Sequence, residues 1–232
     1  MLTLVLLPGL DGTGDLFDPL LKCLRDQFKV QVVRYPADIA LGYEALQEYV
    51  RKALPANEPY VLLGESFSGP IAVALAAESP PLLKGLVLCC TFARNPWPIL
   101  SSARTLLPFL PIGGIPSVAL GQFLLGSFST SSLRLAISTA VGKVSSVVLR
   151  ARIGEVLAAD VSALVSRIRV PCIYLQASED RLVPETAFTH IKALLPSVEV
   201  VKIDAPHCLL QANPEASTEV ISNFMQEVQS AL

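Results

Sequence analysis

Ser66 lies in Gly64-Glu65-Ser66-Phe67-Ser68-Gly69, where the apolar run Tyr60 to Leu63 passes directly into a helix-like apolar pattern. A serine on so abrupt a strand-turn-helix bend is held in a strained backbone conformation, with its hydroxyl standing out above the sheet edge as a nucleophile. Small residues two before and two after let strand and helix approach, and Gly64 and Ser68 fill those places. The usual pattern is G-x-S-x-G; here Ser68 stands for the second glycine and Gly69 follows. The helix start at Phe67 offers a free backbone N–H to a developing oxyanion. The plainer reading makes Ser66 a helix N-cap, a place that serine favours.

A serine nucleophile needs a base, and the chain has only two histidines. His190 falls in the middle of a helical pattern, "TAFTHIKALL", and reads as a structural or surface residue. His207 follows the last strand-like run, in "VEVVKIDAPHCLLQ", at a strand C-terminal end where sites on parallel sheets gather. The base needs an orienting acid. Asp180, in "IYLQASEDRLVP", is the first choice, Glu179 the second and Asp204 the third. For Asp180 the alternative role is a helix-capping turn acid. The second oxyanion N–H is expected from Leu10, after the Pro8-Gly9 turn in "LLPGLDGTGDLF". That loop is no phosphate cradle: Phe17 stands where G-x-G-x-x-G needs its third glycine, and no Walker-type Gly-Lys-Ser/Thr occurs.

Six short β-rich runs must carry these residues: Leu2 to Leu7, Lys29 to Arg34, Tyr60 to Leu63, Gly85 to Cys90, Cys172 to Gln176 and Val198 to Ile203. Most are apolar at nearly every position, as suits parallel strands covered on both faces. Helical patterns over 16–28, 43–54, 68–79, 184–195 and 214–232 lie between them and predict an α/β domain with right-handed crossovers. The rhythm breaks between Thr91 and about Asp160. From Thr105 to Leu133 no residue is charged, while three prolines and four glycines forbid one long helix. Short helices over an apolar pocket are the first reading of that run, and a membrane-surface contact the second.

Composition narrows the function classes. With 232 residues the chain suits one medium domain, and its net charge of −2 argues against nucleic acid as a partner. The hydrophobic fraction is 52% and the mean hydropathy +0.53. Five cysteines without a C-x-x-C pair support neither a disulfide framework nor a zinc site, and imply a reducing, cytoplasmic compartment. The apolar N-terminus has no basic n-region and breaks at Pro8-Gly9, so a first core strand is expected rather than a signal peptide. No run of 18 apolar residues predicts a membrane span.

On "LPGLDGTG", "GESFSG", "SEDRLVP" and "DAPHCLLQANPE" the chain resembles the α/β-hydrolase superfamily over nearly its whole length. Within it, the chain looks most like small bacterial esterases, including the pimeloyl-carrier-protein methyl ester esterases. The resemblance implies Ser66 as nucleophile, His207 as base, Asp180 as acid, and Leu10 and Phe67 as oxyanion donors. It implies a core of residues 1–91 and 159–232 and a helical cap over 92–158, after the fourth strand. The sheet is expected to be six-stranded and all-parallel, in the order 2-1-3-4-5-6 and without the antiparallel strands that begin many members. A carboxylesterase acting on a small-molecule ester with an apolar part, without metal or cofactor, is the expected activity. "LPGLDGTG" is also similar to loops of thioesterases and acyltransferases of the fold. That keeps open a carrier-bound acyl substrate, which Arg94, Arg104, Arg134, Lys143, Arg150 and Arg152 would suit as a basic rim for an acidic carrier. A member that binds ligand without turnover is the third reading.

Overall fold

The computed structural model describes residues 2–24, 27–101, 121 and 124–232. Six strands form one sheet: β1 (Thr3–Leu7), β2 (Lys29–Val32), β3 (Tyr60–Glu65), β4 (Leu83–Cys89), β5 (Cys172–Glu179) and β6 (Glu199–Pro206). Their order is β2-β1-β3-β4-β5-β6, and every pairing is parallel. The expected order and the absence of an antiparallel strand within this sheet both hold. Several strands run beyond the apolar stretch that announces them. Thus β5 ends on Ser178 and Glu179, both exposed, which carries the ladder to the threshold of Asp180.

Alternate residues face opposite sides, as the pleat dictates. Val5, Leu7, Leu62, Leu86, Leu88 and Tyr174 pack on one face. That face is covered by α2 (Tyr43–Ala53), α3 (Gly69–Ala77), α6 (Ser162–Val165) and α7 (Glu185–Leu194). Leu4, Leu6, Val61, Leu63, Val87 and Leu175 pack on the other. There α1 (Asp18–Leu24), α8 (Leu209–Ala212) and α9 (Pro214–Ser230) cover them. Helix α3 is buried at every residue, because it lies against the centre of the sheet. Four of the five cysteines are buried and all are free thiols.

Between β4 and β5 lie α4 (Ser131–Gly142) and α5 (Ser146–Ala158), consecutive helices bent by 100°. Thr130 and Ser145 cap them, each side chain accepting from a backbone N–H three residues on. Arg94 and Asp160 form an isolated antiparallel bridge that ties the start of this segment to its end. Asn95 N–H donates to Ala159 and Val161 N–H to Ala93 (2.8 and 2.7 Å). Most of the uncharged run Thr105 to Leu133 lies outside the described residues. No single described helix is long and apolar enough to cross a membrane.

Candidate active site

In a parallel sheet all strand C-termini share one edge, and here each of the six delivers a residue or loop to a single locus, β2 through Tyr35. At the end of β3, Ser66 takes a left-handed backbone conformation, φ 49°, and the chain turns at once into α3. Close approach makes the turn possible. A Cβ on Gly64 would lie 2.7 Å from the Ala72 Cβ, and one on Gly69 would run into the Thr91 side chain. Thr91, after β4, donates from Oγ1 to the Ser66 carbonyl. It is held in turn by Tyr174, whose hydroxyl accepts from the Thr91 N–H (3.1 Å) and donates to its carbonyl (2.7 Å).

Ser66 Oγ lies 2.9 Å from His207 Nε2. His207 Nδ1 lies 2.9 and 3.0 Å from the two carboxylate oxygens of Asp180. Both side chains are more than nine-tenths buried. The tautomer that satisfies every group has Nδ1–H donating to Asp180 and Nε2 accepting the serine proton. Asp180 also accepts from the Leu182 and Val183 N–H groups (2.9 and 2.8 Å), so it fixes its own turn while orienting the imidazole. The two other candidate acids lie elsewhere. Glu179 accepts from the Ser127 hydroxyl and Asp204 from the Ser178 hydroxyl. His190 pairs with Ser162 (2.8 Å), remote from Ser66 in contacts, and burial together with Arg94 holds its pKa below the ordinary value.

The loop after β1 lies against the elbow: a Cβ on Gly9 would sit 4.0 Å from the Ser66 Cβ. The Leu10 N–H donates to no backbone carbonyl among the described residues, and the Phe67 N–H lies in the first turn of a helix, where the helix itself supplies no acceptor. Donors so placed beside a serine can receive the oxyanion of a tetrahedral adduct. Ser68, where the motif has glycine, is fully buried. Its hydroxyl donates to the Pro8 carbonyl and meets the Tyr35 hydroxyl at 2.7 Å. The departure from G-x-S-x-G thus ties the loop of one N–H donor to the elbow of the other.

Beyond Thr91 and Tyr174, three more participants escape a reading of the sequence alone. Glu65, the residue before Ser66, is buried, with Gln211 Nε2 donating to it at 2.9 Å. Burial pushes its pKa up to about 7, against the pull of Gln211 and of His207. Tyr35 is buried too, and its pKa is raised for the same reason. The third is Arg152, which is 2% exposed and therefore no part of a basic rim. Its signal was present: Val148, Leu149, Arg152 and Val156 recur at helical spacing, so an arginine occupies an apolar stripe. Of the other rim candidates, Lys143 pairs with Asp15 (2.6 Å), Arg134 donates to Ser129 and Ser131, Arg94 is exposed, and Arg104 lies outside the described residues.

The chain is 34% identical over 119 residues to Phytyl ester synthase 1, chloroplastic, of Arabidopsis thaliana. The match takes in 47% of this chain and 16% of that protein, so the chain spans about a sixth of its relative's length. Among solved structures it is similar to a hydrolase from Oleispira antarctica (TM-score 0.83, 18% identity, 97% of this chain and 90% of that one). An enol-lactonase from Burkholderia xenovorans LB400 is as similar (TM-score 0.83, 17%, 97% and 91%). A thermophilic esterase from Thermogutta terrifontis follows (TM-score 0.78, 22%, 98% and 89%). At these identities the structural likeness is one of fold. Residues 4–220, from β1 into α9, match the Alpha/beta hydrolase family, and the chain belongs to that family.

Proposed function

We propose that this chain is a serine carboxylesterase working through an acyl-enzyme on Ser66. The observation that carries the reading is the unbroken line of contacts from Ser66 Oγ through His207 to Asp180, on a serine held at positive φ. His207 Nε2 takes the Ser66 proton as Oγ attacks the ester carbonyl. The Leu10 and Phe67 N–H groups hold the oxyanion, each worth about 10² to 10³ in rate. The imidazolium, stabilised by Asp180, passes its proton to the departing alcohol. Water then loses a proton to His207 and cleaves the acyl-enzyme, which restores the serine. The chemistry calls on no metal or cofactor.

Residues 92–158 act in this reading as a helical cap on a core of 1–91 and 159–232. The bridge at Arg94 and Asp160 supports that division, and the uncharged run within it suits an apolar acyl or alcohol group. A second reading keeps the acyl-enzyme and changes the acceptor: an alcohol in place of water, with an ester or carrier-bound thioester as acyl donor. The likeness to a protein named as an ester synthase favours it.

Hydrolysis of p-nitrophenyl esters from acetate to laurate tests the proposal, with Ser66→Ala as control. Turnover that peaks at one chain length and vanishes in Ser66→Ala is the expected result. Addition of a long-chain alcohol separates the two readings, because a new alkyl ester at the expense of free acid identifies an acyltransferase. A folded protein that hydrolyses no ester, makes no alkyl ester and takes no phosphonate on Ser66 would overturn both.

A further inference from the structure

Arg152, on α5, is the largest of the most deeply buried side chains. No carboxylate among the described residues lies within ion-pairing distance of it. Its guanidinium donates instead to three main-chain carbonyls. Nη1 reaches Leu10 (2.9 Å) and Asp11 (2.7 Å) in the loop after β1, and Nη2 reaches Pro36 (2.9 Å) in the loop after β2. The Tyr35 ring, 5.6 Å away at its centroid, lies beneath the charge. Burial lowers the pKa of the guanidinium, and the nearby Asp11 and Tyr35 work against that fall. Gly12 leaves the room: it has φ 68°, and a Cβ there would come within 2.8 Å of the guanidinium carbon.

One turn further along the same helix, Glu155 accepts from the Tyr43 N–H (2.8 Å). Tyr43 stacks on the Phe67 ring, centroids 4.9 Å apart, and its hydroxyl donates to the Phe67 carbonyl (3.1 Å). Residues three apart on a helix share a face. That face of α5 therefore touches the loop of one N–H donor directly, and the residue of the other through Tyr43. Packing alone would be served by an apolar side chain, since an unpaired buried charge is unfavourable. A planar guanidinium does something an apolar group cannot: its fixed donor directions set where several carbonyls point.

We propose that Arg152 is a positioning residue that sets the Leu10 N–H for the oxyanion, with Glu155 supporting Phe67 through Tyr43. The inference rests on the acyl-enzyme reading of Ser66, and the experiment separates the two. Wild-type protein is first treated with a serine-directed phosphonate. The absence of an adduct on Ser66 overturns the acyl-enzyme reading and this proposal with it. With an adduct present, Arg152→Met, Arg152→Lys and Glu155→Gln are compared with wild type in kcat and KM on the best p-nitrophenyl ester. Two inhibitors of equal length are compared as well: a trifluoromethyl ketone, which forms a charged tetrahedral adduct, and the unactivated methyl ketone.

In both Arg152 variants kcat should fall about 10²-fold, the scale of losing one oxyanion donor, with KM little changed. Trifluoromethyl ketone affinity should fall by the same factor while methyl ketone affinity holds. Glu155→Gln should show the same pattern with a smaller loss. Equal weakening of both ketones, or a loss of activity that only follows the folded fraction, assigns a purely structural role and overturns the proposal. Unchanged kcat in folded Arg152 variants does so too. If neither Arg152 variant folds, the two-ketone comparison on Glu155→Gln decides.

Discussion

Replacing Glu65 by glutamine should change the pH dependence of stability by an amount that the burial of this carboxyl sets. Its ordinary value is 4.5, and in the folded protein it is pushed up to about 7 by desolvation, with Asp11 adding to the rise and Gln211, His207 and the Gly9 N–H opposing it. A folded value above the unfolded one means that folding favours the proton-bound form. The contribution is complete below the unfolded pKa and is lost as pH rises through the folded one. The total loss above pH 7 is about 3 kcal/mol. Between about pH 5.5 and pH 8.5 the wild type should lose about 2 kcal/mol through this one group. Glutamine keeps an acceptor for the Gln211 amide and cannot ionise. Urea unfolding of both proteins at the two pH values gives the test, with the other ionisable groups cancelling in the difference. Glu65→Gln should gain about 2 kcal/mol on wild type between the lower and the higher pH, or roughly 4–8 °C in Tm for a domain of this size. Parallel stability curves would refute the reasoning, because a carboxyl that is solvated when charged carries no such penalty.

Asp180→Asn should leave the fold intact by circular dichroism and lower kcat/KM on esters by about 10⁴-fold, the effect of a wrong imidazole tautomer. Glu179→Gln and Asp204→Asn should stay near wild type in the same assay, since their carboxylates bond Ser127 and Ser178. Ser68→Gly restores the usual elbow pattern yet should destabilise by about 1–3 kcal/mol in urea. It leaves the Pro8 carbonyl and the Tyr35 hydroxyl buried without their partner.

The sheet was legible because its strands are short, mostly apolar at nearly every position and separated by helical periods, a pattern that suits a doubly covered parallel sheet, while the strand order came from the resemblance. Ser66, Asp180 and His207 were legible because each follows a strand directly. That made them neighbours once the strand order was known. Strand ends were underestimated wherever the ladder continued through polar residues, as at Ser178 and Glu179. The support around the site was hidden for a different reason. Glu65 fills a variable place in the motif, and nothing in its neighbours announces burial. Arg152 was read as surface because charged side chains usually are, although the apolar stripe around it pointed inward. Tyr35 and Tyr174 act through hydroxyls whose partners lie 33 and 83 residues away, distances over which local pattern carries no information.

The bridge between Arg94 and Asp160 has a consequence for how this chain tolerates change. The entropy of closing a long excursion is lost once, where its two ends meet, and grows only slowly with the length between them. Doubling that length adds about 0.6 kcal/mol. Changes of length between the bridge and α4 should therefore cost little in closure and leave β4 and β5 in register, with Leu86 still opposite Cys172. Contacts with the core set the inner limit of that freedom: Ser127 donates to Glu179, Leu125 packs against Cys208 beside His207, and Arg152 holds three carbonyls of the sheet's own loops. On the esterase reading, a graft that begins after Trp97 and ends before Leu124 would alter which acyl chains are accepted while keeping those contacts.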